Sequence, residues 1–168
     1  EQMKPDGNFP TVKKPNPEYK EAFLLGIRLA DKVGSDLVIA TDPDSDRVGV
    51  MARGADGEFV TISGNKMGAL LLDYVIKAKK RIASLPDNAY CVKSLVSTEM
   101  ANAIAEKNGV KLHDVLTGFK FIGEQIAALE EEGHPERYIF GFEESYGYLS
   151  GSYVRDKDAV NGAFLICE

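Results

Sequence analysis

The chain has 168 residues, of which 44% are hydrophobic and 27% are charged, and its net charge is -6. This composition excludes an intrinsically disordered chain, and the acidic balance argues against a nucleic-acid-binding protein. No apolar run reaches the roughly 18 residues that a membrane-spanning helix needs. Cys91 and Cys167 lie far apart in the sequence, which favours two buried free thiols in a reducing compartment such as the cytoplasm.

The first half of the chain predicts one α/β unit that contains a hairpin. An N-terminal loop rich in proline and lysine precedes a helix that begins near Glu18 and ends before Gly34. Three short strands follow, at residues 36–41, 48–52 and 59–62. The Asp56-Gly57 pair between the second and third strands is a strong hairpin turn signal. Ser63 can then cap a helix with one buried face.

A segment with loop composition, residues 83–89, predicts a boundary between two domains, 1–84 and 85–168. The second unit alternates strands and helices, with strands at 90–96, 110–115 and 138–142 and helices at 99–107, 121–132 and from 158 onward. Such alternation predicts layered sheets with helices on their faces. The predicted fold class is therefore α/β, with two consecutive three-layer units, each a mixed sheet with helices packed on its faces.

Three acidic residues at alternate positions follow the first predicted strand, namely Asp42, Asp44 and Asp46. Alternate positions of an extended loop point to one side, and carboxylates about 4 Å apart repel by roughly 4 kcal/mol at an effective dielectric near 20. A hard cation such as magnesium, calcium or manganese relieves that repulsion. Ligands also bind at the ends of strands in open α/β sheets. A solvated acidic turn is the alternative interpretation.

Two other interpretations of the acidic loop are weaker. An EF-hand does not fit, because its sixth position would be Arg47 instead of glycine and its twelfth would be Arg53 instead of glutamate. A phosphatase with an aspartate nucleophile is disfavoured, because all three carboxylates suit one ion and none is obviously free to attack.

Three further polar segments follow predicted strands or precede predicted helices. Residues 141–147 end a strand with two carboxylates and a hydroxyl between glycines, which suits a polyol. Residues 116–121 form a strand-to-helix turn with free N–H groups and a lysine, which suits an anion. Residues 155–158 form a charged cluster. Taken singly, the first and the last of these segments are better explained as polar surface.

Taken together, these segments resemble the α-D-phosphohexomutases, the phosphoglucomutase and phosphomannomutase superfamily. Residues 41–47 resemble the magnesium loop of that family, and residues 141–147 its sugar-binding loop. The resemblance covers essentially the whole chain and implies the second and third of the family's four domains. It implies that Asp42, Asp44 and Asp46 bind Mg²⁺ and that Arg47 lies beside the transferring phosphoryl group.

The resemblance also implies roles for residues of the second unit. The implied substrate-binding residues are Glu143, Ser145, Thr117, Gly118 and Lys120. Glu144 would support the sugar contacts, and Lys157 would act as an acid/base or electrostatic partner. Phe119 stands where many mannose-active members of the family have histidine, which favours a glucose or pentose phosphate.

The parent protein is thus expected to be an intramolecular phosphotransferase that moves a phosphoryl group between positions 1 and 6 of a hexose phosphate. A phosphoserine on another domain would carry the phosphoryl group, and no such Ser-His segment occurs in these residues. We therefore expect the isolated fragment to be inactive and to dimerise through apolar surface that the missing N- and C-terminal domains would cover. The alternatives are a non-catalytic module that binds magnesium and sugar phosphate, and a phosphopentomutase of the same family.

Overall fold

Two β-sheets form the framework of the structure, a computed structural model that describes residues 2–168. The strands of the first sheet are, in spatial order, β1 (Leu37–Thr41), β2 (Val48–Arg53) and β3 (Phe59–Ile62). Both pairs are antiparallel, with Val38 opposite Met51 in the first of them. Short loops join these strands, and short loops permit only antiparallel pairing. This sheet therefore corrects the expectation of a mixed sheet in the first unit.

The second sheet is mixed, as predicted. Its strands are β4 (Tyr90–Ser94), β5 (Lys111–Val115), β6 (Tyr138–Glu143) and β7 (Gly147–Leu149), in the spatial order β5-β4-β6-β7. Strand β4 is parallel to both β5 and β6, while β6 and β7 form an antiparallel pair. The sequence analysis did not predict β7, because three residues are too few to show a periodicity.

Helices cover the two sheets. They are α1 (Leu24–Val33), α2 (Gly64–Arg81), α3 (Met100–Asn108), α4 (Phe119–Glu131) and α5 (Ala159–Cys167), with short 3-10 helices at Lys20–Phe23 and Pro135–Arg137. The Ser63 hydroxyl accepts the Lys66 N–H at 3.4 Å, which confirms the predicted cap of α2. The α/β class is confirmed. Among the described residues, no helix has both the length and the apolar character to cross a membrane.

Helix α2 joins the two sheets through one buried cluster. Its Leu72 and Ile76 pack with Val48 of β2 and with Phe140 and Phe142 of β6. Most contacts of α2 lie with β6 and α3, on the second sheet. Helix α2 thus precedes residue 84 in sequence but packs on elements that follow it. The domain boundary near residue 84 stays a prediction.

Direct backbone contacts join the start of β2 to the start of β7. The Val48 N–H donates to the Tyr146 carbonyl at 3.1 Å, and Arg47 forms an isolated antiparallel bridge with Gly147. The Ala159 N–H at the start of α5 donates to the Ser45 carbonyl at 3.1 Å. The loop after β1 therefore lies against the loop after β6.

Candidate functional site

The metal loop, residues 42–47, folds around the carboxylate of Asp42. This side chain is 3% exposed and lies directly after β1. Its Oδ1 accepts the backbone N–H groups of Asp46 at 3.2 Å and Arg47 at 3.0 Å. Its Oδ2 accepts Nε of the Arg47 guanidinium at 2.7 Å. Ser45 adopts a positive φ of 57°, which closes the turn.

The surroundings of Asp42 and Asp46 shift the pKa values of these two carboxyl groups in opposite directions. Burial disfavours the charged form of Asp42, but hydrogen bonds from the backbone and guanidinium of Arg47 outweigh it and lower the pKa of Asp42. Burial raises the pKa of Asp46, and the Asp42 carboxylate adds to this against the lowering effect of Lys157. Opposite shifts of this kind are expected where carboxylates lie close together.

The three aspartates fit an oxygen-ligated cation. One carboxylate oxygen of each of Asp42, Asp44 and Asp46 lies within 4.8 Å of the others. Asp46 Oδ1 is buried and has no hydrogen-bond partner among the described residues. A buried acceptor without a donor is costly unless water or an ion satisfies it. Three carboxylate oxygens without nitrogen or sulfur ligands suit magnesium, calcium or manganese.

Lys157 connects the metal loop to the second sheet. Its Nζ lies 2.6 Å from Asp46 Oδ2 and 3.0 Å from Asp156 Oδ1. The ammonium also lies 5.8 Å from the centre of the buried Phe119 ring. A side chain at Gly147 would collide with Lys157, because an added Cβ would lie 2.7 Å from its Cδ. The absence of a side chain at Gly147 therefore gives Lys157 its path to Asp46.

Arg47 belongs to the same charged group. Besides its contact with Asp42, its Nε lies 3.7 Å from Asp46 Oδ1 and its Nη1 lies 3.7 Å from Glu18 Oε1. Its side chain is 30% exposed, so the guanidinium lies at the surface of the loop instead of inside the core. The loop therefore presents a fixed positive group beside the three carboxylates.

The sugar loop, residues 141–147, includes the end of β6 and the turn to β7. Glu143 is 5% exposed, and its Oε1 accepts the Gly118 N–H at 2.7 Å. Burial raises the pKa of Glu143, although the bond from Gly118 opposes the shift. Ser145 is half-buried in the turn, and Tyr146 adopts a positive φ of 70°. The structure thus brings Gly118 to the loop that carries Glu143 and Ser145.

Two of the predicted substrate-binding residues, Thr117 and Lys120, lie on the protein surface beside Gly118. Thr117 is exposed beside Gly118 at the start of α4. Lys120 is also exposed, and its Nζ lies 4.7 Å from the centre of the Phe121 ring. Lys157, in contrast, contacts the metal loop directly. Of the two lysines, Lys157 is therefore the one that the fold brings to the aspartates.

The sequence analysis missed three polar residues at the carboxyl end of β4. The side chains of Ser94 and Ser97 are buried, and both hydroxyls lie near Glu144 Oε2. Lys93 is fully buried, with its Nζ 2.9 Å from Asp114 Oδ1. The sequence did contain a signal, because Lys93 and Ser94 interrupt an otherwise apolar central strand.

Two family models match nearly the whole chain. Residues 63–168 match the model of the phosphoglucomutase/phosphomannomutase alpha/beta/alpha domain III, and residues 1–57 match that of domain II. The phosphoglucomutase of Staphylococcus aureus (strain N315) is 45% identical over 165 residues, which are 98% of this chain and 29% of that protein. The chain therefore spans under a third of the length of the curated relatives it matches.

Solved structures share the fold at lower identity. A phosphoglucomutase/phosphomannomutase family protein from Burkholderia thailandensis superimposes with a TM-score of 0.68 at 21% identity, over 95% of this chain and 31% of that chain. The N-acetylphosphoglucosamine mutase of Aspergillus fumigatus, solved in complex with GlcNAc-6P and magnesium, gives a TM-score of 0.57 at 13% identity. That superposition covers 78% of this chain and 29% of the other.

Proposed function

Because the chain belongs to the phosphoglucomutase/phosphomannomutase family, we propose that it supplies the metal-binding and sugar-binding parts of a cytoplasmic phosphosugar mutase. The proposed reaction moves a phosphoryl group between positions 1 and 6 of a hexose phosphate, with glucose 1-phosphate as the preferred substrate. A phosphoserine outside these residues carries the phosphoryl group, so the isolated chain is inactive. Both cysteines are free, which suits a reducing compartment, although Cys167 is exposed and only Cys91 is buried as predicted.

The proposal depends on one observation, the direct contact between the metal loop and the sugar loop. The Lys157 ammonium lies 2.6 Å from Asp46, and the backbone of Val48 bonds to that of Tyr146 in the sugar loop. Phosphoryl transfer to a sugar needs a charge-neutralising group and a sugar-orienting group side by side. In this proposal the metal loop supplies the charge-neutralising group, and the adjacent sugar loop supplies the sugar-orienting group.

The metal loop supplies the first of these groups. Asp42, Asp44 and Asp46 would hold Mg²⁺, with the unpartnered Oδ1 of Asp46 as one ligand atom. Bound there, the ion offsets the negative charge of a phosphoryl group in transfer. Arg47 stands beside the carboxylates with its donors in a planar fork, a geometry that suits phosphate oxygens.

The sugar loop and the turn before α4 supply the second group. The Gly118 N–H holds the Glu143 carboxylate in place, and the free lone pairs of that carboxylate can accept sugar hydroxyls. Ser145 adds a hydroxyl from the same turn. Lys157 passes beside Gly147 of the sugar loop to Asp46 and acts as the electrostatic or acid/base partner of the transferred group.

Phe119 supports the preference for glucose 1-phosphate. Its ring is buried at the start of α4, 5.8 Å from the Lys157 ammonium. A phenyl ring has no donor or acceptor, so this position cannot hydrogen-bond a sugar hydroxyl as an imidazole would. A pentose phosphate remains the second candidate substrate, because the same apolar position suits it equally.

A coupled assay of the full-length protein that carries this chain tests the proposal. We expect Mg²⁺-dependent turnover of glucose 1-phosphate that exceeds turnover of mannose 1-phosphate and of pentose phosphates. The isolated 168 residues should show no turnover at equal concentration. Turnover by a clean preparation of these residues would contradict the proposal that the phosphoserine lies outside them. Sugar phosphate binding without any turnover in the full-length protein would instead indicate a non-catalytic module.

We also propose that the isolated chain dimerises through apolar surface. Four large apolar side chains near the carboxyl ends of β4 and β5 are at least half-exposed, namely Leu95, Val96, Met100 and Leu116. Exposed apolar patches of this kind promote association. Light scattering over a range of concentrations should show a dimer for the isolated chain, and a monomer at the highest concentration would contradict the proposal.

A further inference from the structure

We infer that Ser94 and Ser97 are positioning residues that fix the sugar loop through the side chain of Glu144. This inference rests on the proposed function, because it concerns how the proposed sugar contacts are held in place. Neither serine lies in the sugar loop, and neither is needed to bind the metal.

The two hydroxyls converge on one carboxylate oxygen. Ser94 Oγ lies 2.7 Å from Glu144 Oε2, and Ser97 Oγ lies 3.3 Å from the same atom. The two hydroxyl oxygens are themselves 2.7 Å apart. Glu144 stands in the turn between Glu143 and Ser145, so a fixed Glu144 side chain restricts both proposed sugar ligands.

The number of available protons determines which hydroxyl donates to which oxygen. The two hydroxyls have two protons for three short oxygen–oxygen contacts, and a carboxylate oxygen can only accept. The shortest contacts are satisfied together if Ser97 donates to Ser94 and Ser94 donates to Glu144. Ser94 is then the direct support of the carboxylate, and Ser97 acts through Ser94.

The burial of this turn is the reverse of the usual pattern. Ser94 and Ser97 are 0% and 4% exposed, whereas the intervening Leu95 and Val96 are 50% and 54% exposed. Serine is usually found at the surface, and leucine and valine are usually buried. The turn thus places both hydroxyls inside the protein, within hydrogen-bond distance of the Glu144 carboxylate.

A second set of contacts fixes the same place from α2. An added Cβ at Gly64 would lie 1.9 Å from the Glu144 carbonyl oxygen, so the helix start packs directly on the loop backbone. The next residue, Asn65, accepts the Thr98 N–H at 2.9 Å, just after Ser97. The start of α2 thus holds the serine turn and the sugar loop against each other.

Substitutions in the full-length protein test this inference. We expect Ser94→Ala to raise KM for the sugar phosphate about tenfold, because it removes a hydrogen bond to a charged group. We expect Ser97→Ala to raise KM about threefold, because Ser97 donates to the neutral Ser94 hydroxyl. We expect kcat and the dissociation constant of Mg²⁺ to change by less than about twofold. Ser84→Ala, at an exposed position before β4, is the matched control and should leave KM unchanged.

A double-mutant cycle separates positioning from general loss of stability. If the serines act through Glu144, adding both serine substitutions to Glu144→Ala should raise KM no further. Additive increases, or an unchanged KM in Ser94→Ala, would overturn the inference. So would a parallel loss of Mg²⁺ affinity, since that indicates a wider disturbance of the fold.

Amide hydrogen exchange makes the test independent of turnover. In the Ser94→Ala/Ser97→Ala protein, the amides of residues 144–146 should exchange faster while those of residues 42–47 keep their rates. If the wild-type protein turns over no sugar phosphate, the proposed function fails, and the exchange rates still decide the role of the serines. Unchanged exchange in residues 144–146 would overturn the inference by itself.

Discussion

The metal loop and the sugar loop satisfy their buried carboxylates in different ways. Asp42 is held by groups four and five residues away, all within the metal loop. Glu143 depends on Gly118, 25 residues away, and Glu144 depends on Ser94 and Ser97, 50 and 47 residues away. The Asp42 carboxylate is therefore held by its own loop, although Asp46 also contacts Lys157, which follows the second sheet in sequence. The carboxylates of the sugar loop are held by the packing of the second sheet.

This difference predicts different responses to mutation. A substitution inside the metal loop should affect metal binding and leave the rest of the molecule in place. The sugar loop should instead be sensitive to changes at distant positions, in β4, α2 and α4. The four predictions below test this contrast, from the largest expected effect to the smallest.

The largest effect is expected from Asp42→Asn. Asparagine keeps an acceptor for the N–H groups of Asp46 and Arg47 but removes the charge that a divalent cation needs. We expect Mg²⁺ binding by the full-length protein to weaken at least about a hundredfold, since even outer supports of a metal site contribute 10–100-fold. Isothermal titration calorimetry measures this directly.

The control for this prediction is Asp87→Asn, which removes one carboxylate from an exposed loop. It should bind Mg²⁺ as the wild type does. Asp42→Asn should also lower the melting temperature, because its amide nitrogen would face Arg47 Nε, which now donates to Asp42 Oδ2. If the metal loop is self-contained, amide exchange outside residues 42–47 should stay unchanged. Equal Mg²⁺ affinity of Asp42→Asn and wild type would refute the assignment of the metal site.

The second prediction concerns the contact that joins the two loops. Lys157→Met keeps an unbranched side chain over Phe119 but removes the ammonium from Asp46. We expect kcat to fall about a hundredfold, the lower range for a group that transfers or stabilises a proton in the transition state. Steady-state kinetics of the full-length protein provide the measurement.

Lys107→Met is the matched control, because Lys107 is exposed in the last turn of α3 and belongs to neither loop. Its effect on kcat should be smaller than about twofold. A larger loss of activity in Lys120→Met than in Lys157→Met would place the catalytic lysine on α4 and reverse the assignment.

The same contrast explains how much of the site could be predicted from the sequence. The alternate spacing of Asp42, Asp44 and Asp46 was visible because all three ligands lie within five residues, and the structure brings their oxygens together. The hydroxyls of Ser94 and Ser97 were not visible as part of the site, because their partner is about 50 residues away and only the fold joins them.

The fold shows the same division between local and distant signals. The predicted bounds of the six predicted strands and of the last three helices agree with the structure to within two residues, since periodicity and caps are local signals. The antiparallel pairing of the first sheet and the docking of α2 on the second sheet are tertiary features. No short window of the sequence contains them.

The third prediction is that Gly64→Ala damages the sugar loop from a distance of 80 residues. The added Cβ would meet the backbone carbonyl of Glu144 at 1.9 Å, so the helix or the loop has to move. We expect the free energy of unfolding to fall by about 2 kcal/mol, as overpacking usually costs. Chemical denaturation measures this, and KM for the sugar phosphate should rise in parallel.

Lys66→Ala, in the same turn of α2 but exposed, is the control and should change the stability by less than about 0.5 kcal/mol. The metal loop should keep its affinity for Mg²⁺ in Gly64→Ala. If Mg²⁺ affinity falls as much as sugar affinity, the two loops are one cooperative unit and the contrast between them is wrong.

The smallest effect is expected at Asp158, which caps α5 by accepting the N–H groups of Val160 and Asn161. Burial disfavours its charged form, but hydrogen bonds from the Tyr153 hydroxyl and from these N–H groups outweigh it and lower the pKa of Asp158. Its contribution to stability is therefore complete above the unfolded pKa of about 3.9 and is lost as the pH falls through the lower folded value.

We expect Asp158→Ala to lose about 1 kcal/mol of stability at neutral pH, and Asp158→Asn to lose less because asparagine also caps helices. Thermal unfolding should show that the difference between wild type and Asp158→Ala shrinks below about pH 4. A difference that grows with acidity would contradict the lowered pKa. The Ala159 N–H also bonds to Ser45 of the metal loop. Unchanged Mg²⁺ affinity in Asp158→Ala would therefore support a metal loop that is held by its own hydrogen bonds, and weaker Mg²⁺ binding would show that α5 also supports it.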